Sequence, residues 1–228
     1  MSIIELDKIT RIYKQGLHEV RAVDGVSLTV EPGDFAVLCG PSGSGKTTTL
    51  NLIGALDLPD SGRVLFEGRD VGKLSRGEQS RLRRDRIGFV FQAYNLIPVL
   101  TAYENAEFIL ALQGVPEKER RERVMTLLDA VGLGGMADRR PDELSGGQQQ
   151  RVAIARAVAP NPALVLADEP TANVDSATAE SLLDMMQKLN EDRGVTFLFS
   201  SHDDRVMGRA RRLLHMLDGR LERDEVKA

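Results

Sequence analysis

Three short stretches of the sequence hold residues that could do chemistry. The first reads Gly40, Pro41, Ser42, Gly43, Ser44, Gly45, Lys46, Thr47. Its spacing (a glycine, four residues, then Gly-Lys and a hydroxyl) is that of a phosphate loop. The glycines let the backbone curl until successive N–H groups point inward at phosphate oxygens. A helix that starts there adds its positive N-terminal end. Lys46 is placed to reach β- and γ-phosphates, and the Thr47 hydroxyl to ligate Mg²⁺. The plainer reading is a glycine-rich turn. The apolar run before the loop and the helical pattern after it are the setting the motif demands.

The second stretch is Leu164, Val165, Leu166, Ala167, Asp168, Glu169. An apolar strand that ends in two carboxylates places acids at the C-terminal edge of a sheet, where ligands of α/β folds bind. Asp168 suits a Mg²⁺ shell, and Glu169 can orient and deprotonate a water for attack on a γ-phosphate. Alone, such a pair also reads as a solvated strand end. The third stretch is Leu144, Ser145, Gly146, Gly147, Gln148. Its serine, glycines and helix start could form a second anion site. Ser145 and Gln148 equally satisfy a plain capping box, and periodicity does not choose between the two.

These residues need strands and helices to position them. Residues 3–10 alternate apolar and polar, residues 20–30 read as a second strand, and residues 35–39 form a run buried on both faces. A helix is expected from Lys46 to about Ala55, with strands at 63–66 and 87–91. Residues 101–159 are helical in pattern. Pro116 opens one helix, whose Val124, Leu127, Leu128 and Val131 share a face, and Gly132 and Gly134 end it. Strands return at 163–167, 195–200, 213–217 and 220–222, with a helix carrying Leu182, Leu183, Met185, Met186 and Leu189 between the first two. Strands alternating with helices predict a mostly parallel sheet covered by helices.

The bulk properties narrow the function. The 228 residues carry 30 Lys and Arg against 34 Asp and Glu, a net charge of −4. That excludes a surface devoted to gripping nucleic acid or anionic lipid. The Arg-rich stretches 76–86 and 118–123 also contain acids and read as solvated helix faces. The single cysteine, Cys39, forms no internal disulfide and fits a reducing compartment. No secretory signal is expected at the N-terminus, and no apolar run approaches the ~20 residues of a membrane helix. Work on a membrane would go through another subunit.

The phosphate loop, the Leu-Ser-Gly-Gly-Gln motif and Asp168-Glu169, in this order, resemble the ABC (ATP-binding cassette) ATPase family over essentially the whole chain. The resemblance implies a P-loop NTPase of RecA-like α/β fold, its mostly parallel sheet joined by an antiparallel β subdomain and an inserted α-helical subdomain. Residues 1–91 and 161–228 would form the core and β subdomain, and residues 92–160 the helical subdomain. It also implies ATP and Mg²⁺ as cofactors. Residues 40–47 with Thr48 would bind ATP, and Tyr13 would stack on adenine. Thr47, Gln92 and Asp168 would hold the metal. Glu169, His202, Lys46 and Gln92 would be catalytic, and Asn173 and Asp175 lie in the family's D-loop. Residues 144–148 would meet the ATP of a second copy, making a head-to-tail homodimer.

Within the family, residues 11–23, 89–98 with 101–105, 140–144 and 167–171 are similar to the lipoprotein-releasing, macrolide-exporting and cell-division branch. Ala172 and Val174 depart from it, where Gly and Leu are usual. The branch implies a permease partner of FtsX, MacB or LolC/LolE type at the cytoplasmic face of the inner membrane, with no nucleic acid and no insertion of this chain itself. Lipoprotein release is the first expectation, ahead of drug or peptide efflux and of cell-wall regulation. The apolar residues Tyr94, Leu96, Ile97, Pro98, Val99 and Leu100 suit either a docking surface or core packing. Other classes fit less well. A cassette acting on DNA or ribosomes would carry a coiled-coil insertion or a second cassette. A non-hydrolysing switch would lack Glu169, His202 or Lys46.

Overall fold

The computed structural model describes residues 2–16 and 18–227. The chain packs as two compact units, Met1–Arg83 with Thr196–Ala228, and Arg84–Val195. β6 packs on α5 and pairs with β7, and both strands fall in the second unit.

In the first unit, β1 (Ile4–Gln15) and β2 (His18–Val30) form a long antiparallel hairpin, paired out to Gln15 opposite His18. β3 (Phe35–Cys39) is buried along its whole length, as an unbroken apolar run requires. The glycine-rich loop follows, then α1 (Lys46–Ile53), which stops two residues before Ala55, where the Gly54 amide donates back to Leu50 and the Ala55 amide to Leu52. β4 (Ser61–Phe66) and β5 (Arg69–Asp70) complete an antiparallel sheet in the order β2-β1-β4-β5. α2 (Arg76–Arg86) buries none of its residues, in keeping with an Arg-rich solvated face.

In the second unit, β6 (Ile87–Val90) runs parallel to β7 (Leu164–Asp168), with Val90 opposite Ala167. The helices between them are α3 (Ala102–Leu112), α4 (Glu117–Ala130) and α5 (Gly146–Val158). α3 starts at a capping box in which Thr101 and Glu104 exchange hydrogen bonds. Val124, Leu127 and Leu128 turn one face of α4 inward. α6 (Ser176–Arg193) begins at Asp175, whose carboxylate accepts from the Thr178 amide, and ends at left-handed Gly194.

The first unit resumes with β8 (Phe197–Ser200), α7 (Asp204–Arg209), β9 (Arg212–Leu217) and β10 (Arg220–Val226). β9 and β8 flank β3 in parallel, and β10 adds antiparallel to β9. The core of this sheet is aromatic: Phe35 and Phe199 lie 4.7 Å apart between ring centroids. β8 begins two residues later than its apolar run, because Val195 and Thr196 serve as a junction. The Thr196 hydroxyl accepts from the Gly33 amide at 2.9 Å, and the Val195 carbonyl accepts from Asn190 at 2.7 Å.

Candidate functional site

The phosphate loop is built at the end of β3. Lys46 is buried, and its Nζ donates to the carbonyls of Gly40 and Pro41, both at 2.8 Å. The Ser44 amide donates to Pro41 at 3.2 Å, and the Ser44 carbonyl accepts from Gly219 at 3.1 Å. Two backbones press on the curl. A Cβ on Gly40 would lie 2.1 Å from the Met216 carbonyl oxygen, and one on Gly45 2.3 Å from that of Ala22. Only glycine fits at either place. Ser44 Oγ is buried without a hydrogen-bond partner. A curled backbone, a buried ammonium and an unsatisfied hydroxyl together suit a phosphate chain. Pro41, Ser42, Gly43 and Thr47 are exposed at the mouth of the loop, and Thr48 is half-buried.

His202 joins the loop at the same sheet edge. Leu38 and Ser200 are opposite each other in parallel strands, so the chain leaves both strands on one side. The Ser201 amide donates to the Leu38 carbonyl at 3.1 Å, and His202 follows, exposed. Tyr13 is half-buried near the end of β1, its hydroxyl donating to Asp57 Oδ2 at 2.8 Å.

The remaining expected residues lie in the second unit. Gln92 and the pair Asp168-Glu169 leave the C-terminal ends of β6 and β7, which are neighbours in register. Glu169 has φ 44°, left-handed for a bulky residue. Asn173 Nδ2 donates to the Gln92 carbonyl at 2.9 Å, and the Tyr94 hydroxyl donates to the Asn173 carbonyl at 3.0 Å. Ser145 forms the capping box with Gln148: its hydroxyl accepts from the Gln148 amide at 3.3 Å, and Gln148 Oε1 accepts from the Ser145 amide at 2.9 Å. Leu144 is buried, Ser145 is exposed, and Gly146 is half-buried. A Cβ on Gly147 would lie 2.3 Å from Thr178 Cγ2, so the start of α5 packs on the start of α6, beside Asp175. The capping box is therefore real. An anion site at the same helix start is compatible with it, since the cap engages one amide of the turn.

The sequence has known relatives. The pattern of the ABC transporter family matches residues 23–172. A macrolide export ATP-binding/permease protein, MacB, from Syntrophobacter fumaroxidans is 49% identical over 97% of this chain, which spans only 31% of that protein. The lipoprotein-releasing system ATP-binding protein LolD 1 of Rhodopseudomonas palustris is 44% identical over 96% of this chain and 98% of its own length. The dimeric ATP-binding cassette MJ0796, solved in a post-hydrolysis state with ADP and Pi, superposes with a TM-score of 0.91 at 43% identity, covering 99% of both chains.

The chain belongs to the ABC transporter family.

It has the family's P-loop NTPase fold and is an ABC-type ATPase cassette. Several residues that shape the cassette's loops carry no motif. Asn105 is buried on α3, and its amide nitrogen donates to the carbonyls of Ile97, Leu100 and Thr101 while its oxygen accepts from the Ile97 amide at 2.8 Å. That fixes the apolar stretch after Gln92, in which Val99 is 72% exposed but Leu96, Ile97 and Leu100 are half-buried. Arg156 of α5 donates to the carbonyls of Asn95 at 2.6 Å and Tyr94 at 3.0 Å, and burial pushes its guanidinium pKa down. Gln150, one turn and a half earlier on α5, donates to the Pro170 carbonyl at 2.7 Å. Asp57, beyond α1, receives the Tyr13 hydroxyl. Apart from those of Asn105, these contacts join residues far apart in the chain. An Asn or Arg on a helix gives no local sign of which distant carbonyl it will meet.

Proposed function

We propose that this cassette is the ATP-hydrolysing subunit of a transporter complex in which two copies close head to tail on ATP. Residues 40–48 of one copy cradle the triphosphate, with Lys46 on the β- and γ-phosphates and Tyr13 on the adenine. Ser145, Gly146 and Gly147 of the other copy supply further donors, with Leu144 and Gln148 shaping that turn and Asn173 and Asp175 alongside. Thr47, Gln92 and Asp168 offer hydroxyl, amide and carboxylate oxygens, the hard donors that suit Mg²⁺. When bound, such an ion neutralises charge on the phosphates. Glu169 orients and deprotonates the attacking water, and His202 contacts the γ-phosphate. ATP favours the closed dimer because it gains contacts from both chains only there. The dimer reading is supported by the dimeric state of the MJ0796 cassette. Residues 1–91 with 161–228 act as core and β subdomain, and 92–160 as the helical subdomain.

The observation that carries this reading is the preformed phosphate loop with Lys46 folded into it. No helix among the described residues is long and apolar enough to cross a membrane. The cassette works peripherally, at the cytoplasmic face of the inner membrane, against a permease that docks on the stretch 94–100. Lipoprotein release is the work we assign to it, supported by the likeness to LolD 1. Macrolide export is the second reading, favoured by the 49% identity to MacB.

Replacing Glu169 with Gln tests the proposal. Loss of a general base costs about 10²- to 10⁴-fold in rate. Glu169→Gln is expected to release almost no phosphate, yet to elute as a dimer in ATP and a smaller species without it. Normal turnover would remove Glu169 from the mechanism. The same variant, trapped with ATP in membranes and cross-linked, retains its cargo: an acylated polypeptide supports lipoprotein release, and a macrolide supports the second reading.

A further inference from the structure

Tyr13 does not stand alone at the end of β1. The Arg11 guanidinium carbon lies 4.9 Å from the centroid of its ring, within cation–π range. One face of the ring is therefore covered. A single carboxylate oxygen, Asp57 Oδ2, accepts from the Tyr13 hydroxyl at 2.8 Å and from Arg11 Nε at 2.9 Å. The other oxygen accepts from the Leu58 amide at 2.8 Å, which orients the carboxylate itself. Asp60 completes the clasp: it accepts from Arg11 Nη1 at 2.9 Å and from the Ile12 amide at 2.6 Å, and its own amide donates to the Thr10 carbonyl at 2.8 Å. The Arg11 and Asp57 side chains are only 23% and 28% exposed, so the part of the clasp at the ring is sheltered, while Asp60, at 41%, lies at its open edge.

The clasp also has an anchor. The Asp57 amide donates to the Asn51 carbonyl of α1. α1 opens at Lys46 and is eight residues long, about 12 Å at 1.5 Å per residue. The ring at the strand end and the phosphate loop are thus tied to opposite ends of one short helix.

The geometry points to Asp57 and Arg11 as positioning residues that hold the Tyr13 ring for a purine base, with Arg11 on one face and the base on the other. This rests on the reading of Tyr13 as the adenine-stacking residue. The hydroxyl anchor stops the phenol from swinging about its side-chain torsions. The base then meets a ring already set at the right distance from the triphosphate.

Steady-state ATPase kinetics of the full chain, with calorimetric binding of inorganic tripolyphosphate, test this. Base–aromatic stacking is worth enough that Asp57→Ala is expected to raise KM for ATP about tenfold, with kcat within twofold and tripolyphosphate affinity unchanged. Asp57→Asn keeps an oxygen for the tyrosine hydroxyl and is expected to recover part of the loss. If Asp57→Ala weakens ATP and tripolyphosphate alike, Asp57 only maintains the fold and the inference fails. If Tyr13→Ala raises KM while Asp57→Ala does not, the clasp is refuted and stacking stands. If Tyr13→Ala leaves KM unchanged, the stacking reading falls and takes the clasp with it.

Discussion

Two glycines of the phosphate loop offer a graded test of how the fold holds that loop. Gly43 has φ 83° and Gly45 has φ 99°. An alanine in left-handed backbone costs roughly 1–2 kcal/mol, and both substitutions incur that strain. Their surroundings differ. A Cβ on Gly43 meets nothing within 4 Å. A Cβ on Gly45 lands 2.3 Å from the Ala22 carbonyl oxygen, about 0.7 Å inside the 3.0 Å limit that real contacts respect, and 3.4 Å from Gly219 Cα. The obstructing atom is backbone in β2, at an irregularity whose flanking residues Arg21 and Val23 are paired with β1, so it cannot swing aside as a side chain would. Overpacking of this kind adds about 1–3 kcal/mol. Gly43→Ala should therefore destabilise by about 1–2 kcal/mol and Gly45→Ala by about 2–5. At about 2–4 °C per kcal/mol for a chain of this size, the melting midpoint should fall by about 4 °C for the first and about 10 °C for the second. Thermal melts followed by far-ultraviolet circular dichroism, without nucleotide, give the comparison free of any effect on phosphate binding. Equal shifts for the two variants, or a larger one for Gly43→Ala, would refute the steric argument.

Two further expectations follow from side chains outside the motifs. Arg156→Met removes two charge-assisted hydrogen bonds, each worth about 1.5–3 kcal/mol, from the Tyr94 and Asn95 carbonyls. Amide exchange in residues 93–97 should accelerate at least tenfold, and unchanged protection there would show that Arg156 does not hold the loop. In the β9–β10 hairpin, Arg212 donates to Asp224 at 2.8 and 2.6 Å and keeps that carboxyl below the usual carboxylate range; Arg220, with Arg21, does the same for Asp24. A folded pKa below the unfolded value of about 4 means that this stability is present above about pH 4 and is lost as pH falls further. The melting midpoint should drop on acidification from pH 5 to 3, less steeply in Arg212→Gln, and an identical slope in that variant would count against the pairing.

What the sequence made legible was local. The run Phe35–Cys39 is apolar at every position and is buried at every position. The phosphate loop, the capping box at Ser145 and the acids after β7 are contiguous words, so their positions in the fold could be anticipated. What stayed hidden was either polar or distant. α7 has almost no apolar periodicity and exists because the Asp203 carboxylate accepts from the Arg205 amide at its start. The outer half of the β1–β2 hairpin is polar on both strands around Lys14 and Glu19, so alternation gives no sign of it, yet the ladder continues. The Asp57–Tyr13 contact spans 44 residues and the Arg156–Tyr94 contact 62. No pattern of spacing encodes a partner that only the tertiary fold brings near.

Backbone strain separates structural turns from the loops around the expected chemistry. Glu67 and Asp218 are left-handed, but each precedes a glycine in a two-residue hairpin turn, where that conformation matches the strand twist. Ala55 and Asn161 are left-handed just beyond helix ends, another ordinary place for it. Tyr94, Asn95 and Glu169 have no such account: all three follow the C-terminal ends of β6 and β7, and each such residue costs about 1–3 kcal/mol. Strain of that size persists only where neighbours over-determine it. Two of the braces come from α5. Arg156 holds the carbonyls of Tyr94 and Asn95, and Gln150 holds that of Pro170, directly after Glu169. The same 13-residue helix opens at the Ser145 capping box. A single rigid element thus carries the Ser-Gly-Gly turn at its start and secures, further along, the loops of Gln92 and Glu169. A plain cap would ask nothing of the rest of its helix. This helix is built to keep two strained loops and one glycine-rich turn in fixed relation.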